Sequence, residues 1–132
     1  MVSTDTINRH REWQVQVLSH MVPGGARFPL ISDSSGAIGS IYGVYNHELK
    51  REMRSHFIID PDGIIQSLEM VAPSVGRNVT EILRQLRALI HNRNTGEMMP
   101  CGWEPGKTTL PGEDDPHAHA RPWKSWKPGN AF

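Results

Sequence analysis

The feature that most constrains the fold is a β-hairpin pattern at residues 55–71. Two runs rich in β-prone residues, SHFIID (55–60) and IIQSLEMV (64–71), flank the turn sequence Pro61-Asp62-Gly63. Strand runs of this length around a Pro/Gly turn are typical of an antiparallel pair. The sequence therefore predicts a hairpin, which needs another layer to cover its apolar side chains.

A strong helix pattern follows the hairpin in NVTEILRQLRALIHN (78–92). Asn78 and Glu81 match a capping box, in which each side chain binds the other residue's backbone N–H. Apolar residues recur at helical spacing, and this stripe is predicted to face a core. Its members are Val79, Ile82, Leu83, Leu86, Leu89 and Ile90.

The first third of the chain predicts a helix, a strand and a short helix. Trp13 and Val17 recur at helical spacing until Pro23-Gly24-Gly25 ends the helix. FPLIS (28–32) predicts a short buried strand, and Asp33-Ser34-Ser35-Gly36 is a capping sequence for a helix that reaches Tyr42. The possible caps of the first helix are Thr4, Asp5 and Thr6.

Helical and strand patterns that alternate before a hairpin and a covering helix predict an α/β architecture. Residues 1–93 are predicted to form one domain. Residues 94–132 are rich in Gly, Pro and Trp without periodicity, so they predict a tail that is largely extended or disordered. Three tryptophans of this tail are predicted to anchor it to another surface: Trp103, Trp123 and Trp126.

Composition limits the partners. The 132 residues suffice for one modest domain, and 14 basic residues balance 14 acidic ones, so no overall field attracts nucleic acid or an anionic membrane. No apolar run approaches the roughly 18 residues of a membrane span. A single cysteine excludes an internal disulfide framework and favours a reducing compartment, predicted to be the cytoplasm.

Two residues are candidates for chemistry. Arg54 directly precedes the first hairpin strand: it is either one more solvated cation of the run HELKREMR or a guanidinium that holds a thiolate or oxyanion. Cys101, in GEMMPCGWEPG (96–106), lies in a Gly/Pro-rich loop rather than among aliphatic residues. It is either an inert tail thiol or a redox residue, and the residues alone leave both interpretations open.

A metal site is not predicted. His117 and His119 lie near Asp114 and Asp115, but short His tracts are common in tails and two histidines make a poor site. The sequence also has no HExxH spacing, no glycine-rich phosphate loop and no serine nucleophile elbow. We expect no cofactor.

Taken in order, several short motifs of the sequence resemble the C-terminal part of a typical 2-Cys peroxiredoxin of the alkyl hydroperoxide reductase C type. The set is specific, and it runs from Val2 to about Leu110. The motifs are VSTDT followed by His10 and Trp13, then FPLISD, YGVY, Arg54 with FIIDPDGII, PSVGRNVTEILRQLRAL and GEMMPCGWEPG.

The resemblance implies a partial thioredoxin-like (peroxiredoxin) fold and thiol-dependent reduction of hydrogen peroxide and organic hydroperoxides. It implies that a peroxidatic thiolate becomes a sulfenic acid and then a disulfide, which a thioredoxin-type or flavoprotein reductase resets. Arg54 matches the family's active-site arginine, and Arg77 matches an arginine near that site and the subunit interface. The resemblance also implies that Trp103 lies near the site or the subunit interface. It further implies a homodimer or a higher homo-oligomer.

The sequence departs from the family pattern in two ways. The family's Pro-x-x-x-Thr-x-x-Cys segment precedes VSTDT and is not among these residues, so the peroxidatic residue is missing. The family's resolving cysteine precedes Pro100, where this chain has Met99, and Cys101 follows that proline. A two-residue shift moves a sulfur by about 7 Å in extended chain, and disulfide geometry tolerates little displacement. Cys101 is therefore a candidate displaced resolving thiol.

Loss of the segment before VSTDT has an expected structural consequence. In the family's sheet, the strand leading to the peroxidatic cysteine lies between the VSTD strand and the FIID strand. Without it the sheet is predicted to split into two pairs with bare edges. We expect the chain to be a truncated product, one route being a late start codon assigned because an upstream stop-like codon encodes selenocysteine.

Three functions follow from these observations. The chain is predicted to be part of a peroxidase that is inactive alone, or a non-catalytic oligomerising fragment that binds full-length subunits. A metal-binding or adaptor tail built on residues 113–128 is a third, weaker hypothesis.

Overall fold

A computed structural model describes residues 1–112, 114–116, 122–124 and 126–131. The chain forms two compact units, Met1–Gly76 and Arg77–Phe132. The predicted domain boundary between residues 93 and 94 stays a prediction. His117 and His119, the histidines of the possible metal site, lie outside the described residues.

The first unit opens with strand β1 (Val2–Ser3) and a helical segment that begins at Ile7. Of the possible caps, Thr6 is the one used: its Oγ1 accepts a hydrogen bond from the Arg9 N–H at 3.3 Å. The segment consists of α1 (Ile7–Trp13), a wider π-helical stretch (Gln14–Leu18) and α2 (Ser19–Met21). The predicted helix before Pro23 is confirmed.

Strand β1 pairs in parallel with β2 (Ile31–Ser32). The predicted strand FPLIS is thus limited to its last two residues. The prediction that it is buried was wrong, because Phe28 and Ile31 are exposed. A strand paired on one side only, with no wider sheet around it, leaves its side chains in solvent.

Helix α3 (Ala37–Ile41) begins where the capping sequence predicted. Asp33 is buried, and its Oδ2 accepts a hydrogen bond from the Gly39 N–H at 2.8 Å. Burial raises the pKa of Asp33, but hydrogen bonds from the backbone amides of Gly39, Ile38 and Ala37 outweigh it, so this pKa is lowered. The carboxylate therefore stays ionised at the start of the helix, where negative charge is favourable.

A small antiparallel pair, β3 (Tyr45–Asn46) with β4 (Arg51–Glu52), leads into the hairpin. The predicted hairpin is confirmed as β5 (Arg54–Ile59) and β6 (Ile65–Val71), with a register irregularity between Ile58 and Ile59. Asp60 organises the turn, because its Oδ1 accepts hydrogen bonds from the N–H groups of Asp62 and Ile64, both at 2.9 Å.

The strands of the described residues form three separate two-stranded sheets: β1–β2, β3–β4 and β5–β6. The β1–β2 and β5–β6 sheets are not joined, which confirms the predicted split of the VSTD and FIID strands into separate pairs. The β3–β4 pair was not predicted. Each two-stranded ribbon offers little surface to bury apolar side chains.

The second unit begins with helix α4 (Val79–Thr95), whose predicted start is confirmed. Asn78 Oδ1 accepts a hydrogen bond from the Glu81 N–H at 3.2 Å, which is one half of the capping box. The prediction that the apolar stripe faces a core was wrong: no residue of α4 is buried. Its exposed members are Val79, Leu83, Leu86 and Ile90.

The core is correspondingly small. Among the described residues, the buried hydrophobic side chains are Val44, in the first unit, and Trp103, in the second. Since buried apolar area is the main favourable term in folding, both units have few tertiary contacts to stabilise them. The stripe of α4 lacks a broad apolar surface within the described residues, which is the physical reason that it stays in solvent.

Candidate functional site

Arg54 is the first residue of β5 and lies opposite Val71 on β6. Its side chain is exposed, and no hydrogen bond or ion pair to its guanidinium is made by the part of the chain that the structure describes. His56 and Glu69 share its face of the hairpin and approach each other at 3.4 Å (Nδ1 to Oε2). The guanidinium is thus available to bind an anion from outside the described residues.

Arg77 lies in the loop before the cap Asn78 and is also exposed. It belongs to the second unit, whereas Arg54 belongs to the first. The roles that the resemblance implies for Arg54 and Arg77 stay predictions. Cys101 and Trp103, by contrast, are brought together in one loop.

Cys101 is a free, exposed thiol. Its loop is closed by Met98 and Leu110, whose backbones exchange hydrogen bonds of 3.0 Å and 2.7 Å, and a turn joins the Trp103 N–H to the Pro100 carbonyl at 3.1 Å. A surface pocket of about 350 Å³ adjoins the thiol. Its lining includes Cys101, Trp103, Lys107, Thr108, Trp126 and Asn130.

Trp103 fixes this loop. It is only 2% exposed, its Nε1–H donates to the Lys107 carbonyl at 3.1 Å, and its ring centroid lies 5.1 Å from that of His91 on α4. Burial of a side chain of this size contributes about 3 kcal/mol. Trp103 was predicted to anchor the tail to another surface, and in the structure that surface is the preceding helix of its own chain.

His91 makes a second link between α4 and the loop. Its Nε2 lies 2.9 Å from Glu97 Oε2. The hydrogen bond from His91, and less strongly one from Thr109, lowers the pKa of Glu97. The sequence reasoning treated His91 as one of several scattered histidines and missed this pair, which joins residues six positions apart across the end of the helix.

Among the described residues of the second unit, Glu81 and Arg84 form a close ion pair, 2.7 Å from nitrogen to oxygen, which the sequence reasoning also missed. Arg84 Nε donates to Glu81 Oε2 at 2.7 Å, and Nη2 donates to Glu81 Oε1 at 2.8 Å. Glu81 was predicted to complete the capping box; instead its carboxylate binds Arg84 and the Gln85 amide, because a two-point contact with a cation is stronger than a bond to one backbone N–H. The available signal was the i,i+3 spacing of opposite charges.

This contact predicts an acidic titration midpoint. The hydrogen bond from Arg84, then that from Gln85, lowers the pKa of Glu81 from 4.5 to about 2. Because the folded pKa lies below the unfolded one, the stabilisation is complete above pH 4.5 and is lost as the pH falls towards 2. Because solvent screens this partly exposed pair, its contribution to the free energy of unfolding is about 1 kcal/mol. NMR titration of the side-chain carboxyl carbons measures the midpoint directly.

Arg84→Gln is expected to return the pKa of Glu81 towards 4.5. Arg87→Gln serves as the control, because Arg87 is an exposed cation of the same helix, and it should leave the pKa of Glu81 near 2. A wild-type midpoint close to the ordinary glutamate value would contradict the contact.

The described residues contain no helix that is both long and apolar enough to span a bilayer. Over the same residues, no three His, Cys, Asp or Glu side chains are grouped so that they could hold a metal ion.

Two residues of the motifs that carry the resemblance make defined contacts in the structure. His10, which follows VSTDT, is buried, and its Nε2 lies 2.7 Å from Ser3 Oγ on β1. Tyr42, the first residue of YGVY, contacts Phe57 of β5 edge-on at 4.9 Å between ring centroids. These contacts hold β1, α1 and the hairpin in the first unit.

The model of the AhpC/TSA family matches residues 1–68, just over half of the chain. The chain belongs to the AhpC/TSA family. This confirms the resemblance that was drawn from the order of the sequence motifs. The matched residues include Arg54 and most of the hairpin.

Known proteins extend the match of this AhpC/TSA chain beyond residue 68. The selenocysteine-containing peroxiredoxin PrxU of Peptoclostridium acidaminophilum is 46% identical over 133 residues, which cover 99% of the chain and 64% of the relative. The alkyl hydroperoxide reductase C of Amphibacillus xylanus is 36% identical over 110 residues, covering 83% of the chain and 57% of the relative. The chain thus spans about three fifths of these relatives.

Among solved structures, the reduced 2-Cys peroxiredoxin of Plasmodium vivax superposes with a TM-score of 0.75 at 30% identity, covering 83% of this chain and 56% of that one. The predicted fold class is confirmed: the AhpC/TSA chain has part of the thioredoxin-like fold of peroxiredoxins, with small sheets and a C-terminal helix.

Proposed function

We propose that the chain contributes Arg54 and the Cys101 loop to a peroxiredoxin that reduces hydrogen peroxide and organic hydroperoxides. Arg54 stabilises the attacking anion and polarises the peroxide oxygen that accepts it. Cys101 then forms a bond with the oxidised attacking residue, and a thioredoxin-type or flavoprotein reductase restores both groups. The working protein is a homodimer or a higher homo-oligomer.

The observation that carries this proposal is the state of Arg54. This guanidinium is exposed and unpartnered within the described part of the chain, so an anion from outside those residues can reach it. It stands at the first residue of strand β5. Such a group suits recognition of an anion or a developing negative charge.

The attacking atom is proposed to lie outside these 132 residues. Cys101 is the only cysteine of the sequence. Its place in GEMMPCGWEPG makes it the candidate displaced resolving thiol rather than the attacking residue. The relative from Peptoclostridium acidaminophilum is named as selenocysteine-containing, which supports a selenolate as the attacking group, with a cysteine thiolate as the other possibility.

A second candidate is a non-catalytic fragment that binds full-length subunits. It is favoured by the exposed apolar stripe of α4 and by the two-stranded sheets, whose edges can pair with another chain. Peroxide turnover by a protein that contains both these residues and the attacking residue separates the candidates, because only under the first does Arg54→Gln slow it. Cytoplasmic location stays a prediction in either case.

The nucleotide sequence before the Met1 codon tests where the attacking residue comes from. We expect an in-frame Pro-x-x-x-Thr-x-x motif followed by a cysteine codon or by TGA read as selenocysteine. In the latter case, mass spectrometry of the purified natural protein should find selenium in a peptide upstream of Val2. A reading frame without this motif would contradict the proposal.

A further inference from the structure

The side chain of Arg84 connects helix α4 to the loop that carries Cys101. Two of its nitrogens bind the Glu81 carboxylate, and the third, Nη1, donates to the Trp103 carbonyl at 3.0 Å. The side chain is 26% exposed, so the contact is partly shielded from water. All three guanidinium nitrogens therefore have a partner.

Glu81 makes this bridge rigid. Its carboxylate holds the guanidinium in a two-point contact and also accepts a bond from Gln85 Nε2 at 3.0 Å. Because a planar fork loses little further freedom once it is held, the bond from Nη1 to the loop costs little additional entropy. The cation thus has a fixed place on the helix.

Trp103 transmits that position to Cys101. The same residue whose carbonyl binds Arg84 closes the turn over Cys101 through its N–H bond to Pro100. Its ring is buried, so the turn cannot shift without exposing a large apolar surface. The thiol itself remains exposed within this fixed turn.

We propose that Arg84 is the positioning residue for Cys101: through its bond to the Trp103 carbonyl it fixes the Pro100–Trp103 turn, and its positive charge acts on the sulfur that this turn carries. This inference rests on the proposed role of Cys101. The pKa of Arg84 supports it, since it is raised, first by the hydrogen bond to Glu81 and less strongly by the charges of Glu81, Cys101 and Glu104. Arg84 acts through the loop and does not touch the peroxide.

The chemistry needs such an arrangement. In the proposed cycle the Cys101 sulfur attacks an oxidised selenenic or sulfenic acid, an S–Se or S–S bond forms, and the hydroxyl leaves as water with the thiol proton. A thiolate in a fixed turn reaches its partner sulfur or selenium in a narrow range of geometries. The charge of Arg84, which binds the same turn, also favours the approach of negatively charged partners.

Two disulfide reagents test the proposal without peroxide. Dithiobis-nitrobenzoate is dianionic and dithiodipyridine is uncharged; each reacts as the Cys101 thiolate attacks its S–S bond, forms a mixed disulfide and releases a coloured product. At low salt, Arg84→Gln should lower the ratio of the anionic to the neutral rate about five-fold. Arg84→Lys, which keeps the charge, should hold the ratio within about two-fold, and high salt should remove the difference.

Three outcomes would overturn the proposal. Arg84→Gln could leave the ratio unchanged, either because neither rate changes or because both change equally, as a purely structural role predicts. Alternatively, the ratio could fall as far in Arg87→Gln or only in Lys107→Gln, which removes the cation that lines the pocket. Circular dichroism confirms that each variant keeps its helix. Failure here leaves the peroxidase proposal standing, because the reagents require neither peroxide nor the attacking residue.

Discussion

In a protein that contains the attacking selenol or thiol, Arg54→Gln is expected to slow peroxide reduction about 100-fold. Glutamine can donate a hydrogen bond but carries no charge, so it stabilises neither the attacking anion nor the charge that develops on the peroxide oxygen. Arg54→Lys keeps the charge without the planar fork, and its rate should lie between the two. Stopped-flow consumption of hydrogen peroxide gives all three rates.

The same substitution should leave the fold unchanged. Since Arg54 has no polar partner in the described part of the chain, Arg54→Gln removes no contact there. Arg51→Gln is the matched control, because Arg51 is exposed on the neighbouring strand β4. Its peroxide kinetics should match those of the wild type. Wild-type kinetics for Arg54→Gln would contradict the catalytic role of Arg54.

Local rules predicted much of the secondary structure. The turn at Asp60 and Gly63 and the cap at Asn78 depend on residues within four positions of each other, so a single sequence reveals them. The hairpin strands were accordingly placed to within one residue, and helix α4 begins where predicted but extends three residues further than predicted. The family resemblance also depended on the order of short sequence motifs rather than on any tertiary contact.

Non-local contacts could not be predicted in the same way. The apolar stripe of α4 has the spacing of a core-facing helix, but spacing shows only which face is apolar and not whether anything covers it. Trp103 lies in a segment without periodicity, so its burial against His91 left no pattern in the sequence. The Glu81–Arg84 pair was hidden because a capping box explained Glu81 equally well.

The candidate site was predicted at the level of residues and not of geometry. Arg54 and Cys101 were both proposed from the sequence, and their roles stay predictions; the structure places them in different units. Cys101 lies two residues beyond the position of the resolving cysteine in the family motif. In the structure its thiol is exposed, in a turn closed by the Trp103 N–H. Its role as the resolving thiol stays a prediction, which the Arg84 variants and peroxide turnover address separately.

The second large effect concerns the 132-residue chain itself. Removal of an enzyme's nucleophile lowers turnover by roughly 10⁴-fold or more, because the remaining groups only bind and orient the substrate. Cys101 is the sole thiol here, and it is proposed as the resolving residue rather than the attacking one. The chain alone should therefore show no catalytic peroxide reduction, whereas a protein that also contains the attacking residue should turn over many times.

Peroxide consumption coupled to thioredoxin, thioredoxin reductase and NADPH tests this claim most directly. The purified 132-residue chain and its Cys101→Ser variant should both oxidise NADPH at the rate of the coupling system alone. Multiple turnovers by the chain that disappear in Cys101→Ser would show that Cys101 is itself the attacking thiol and would contradict the account.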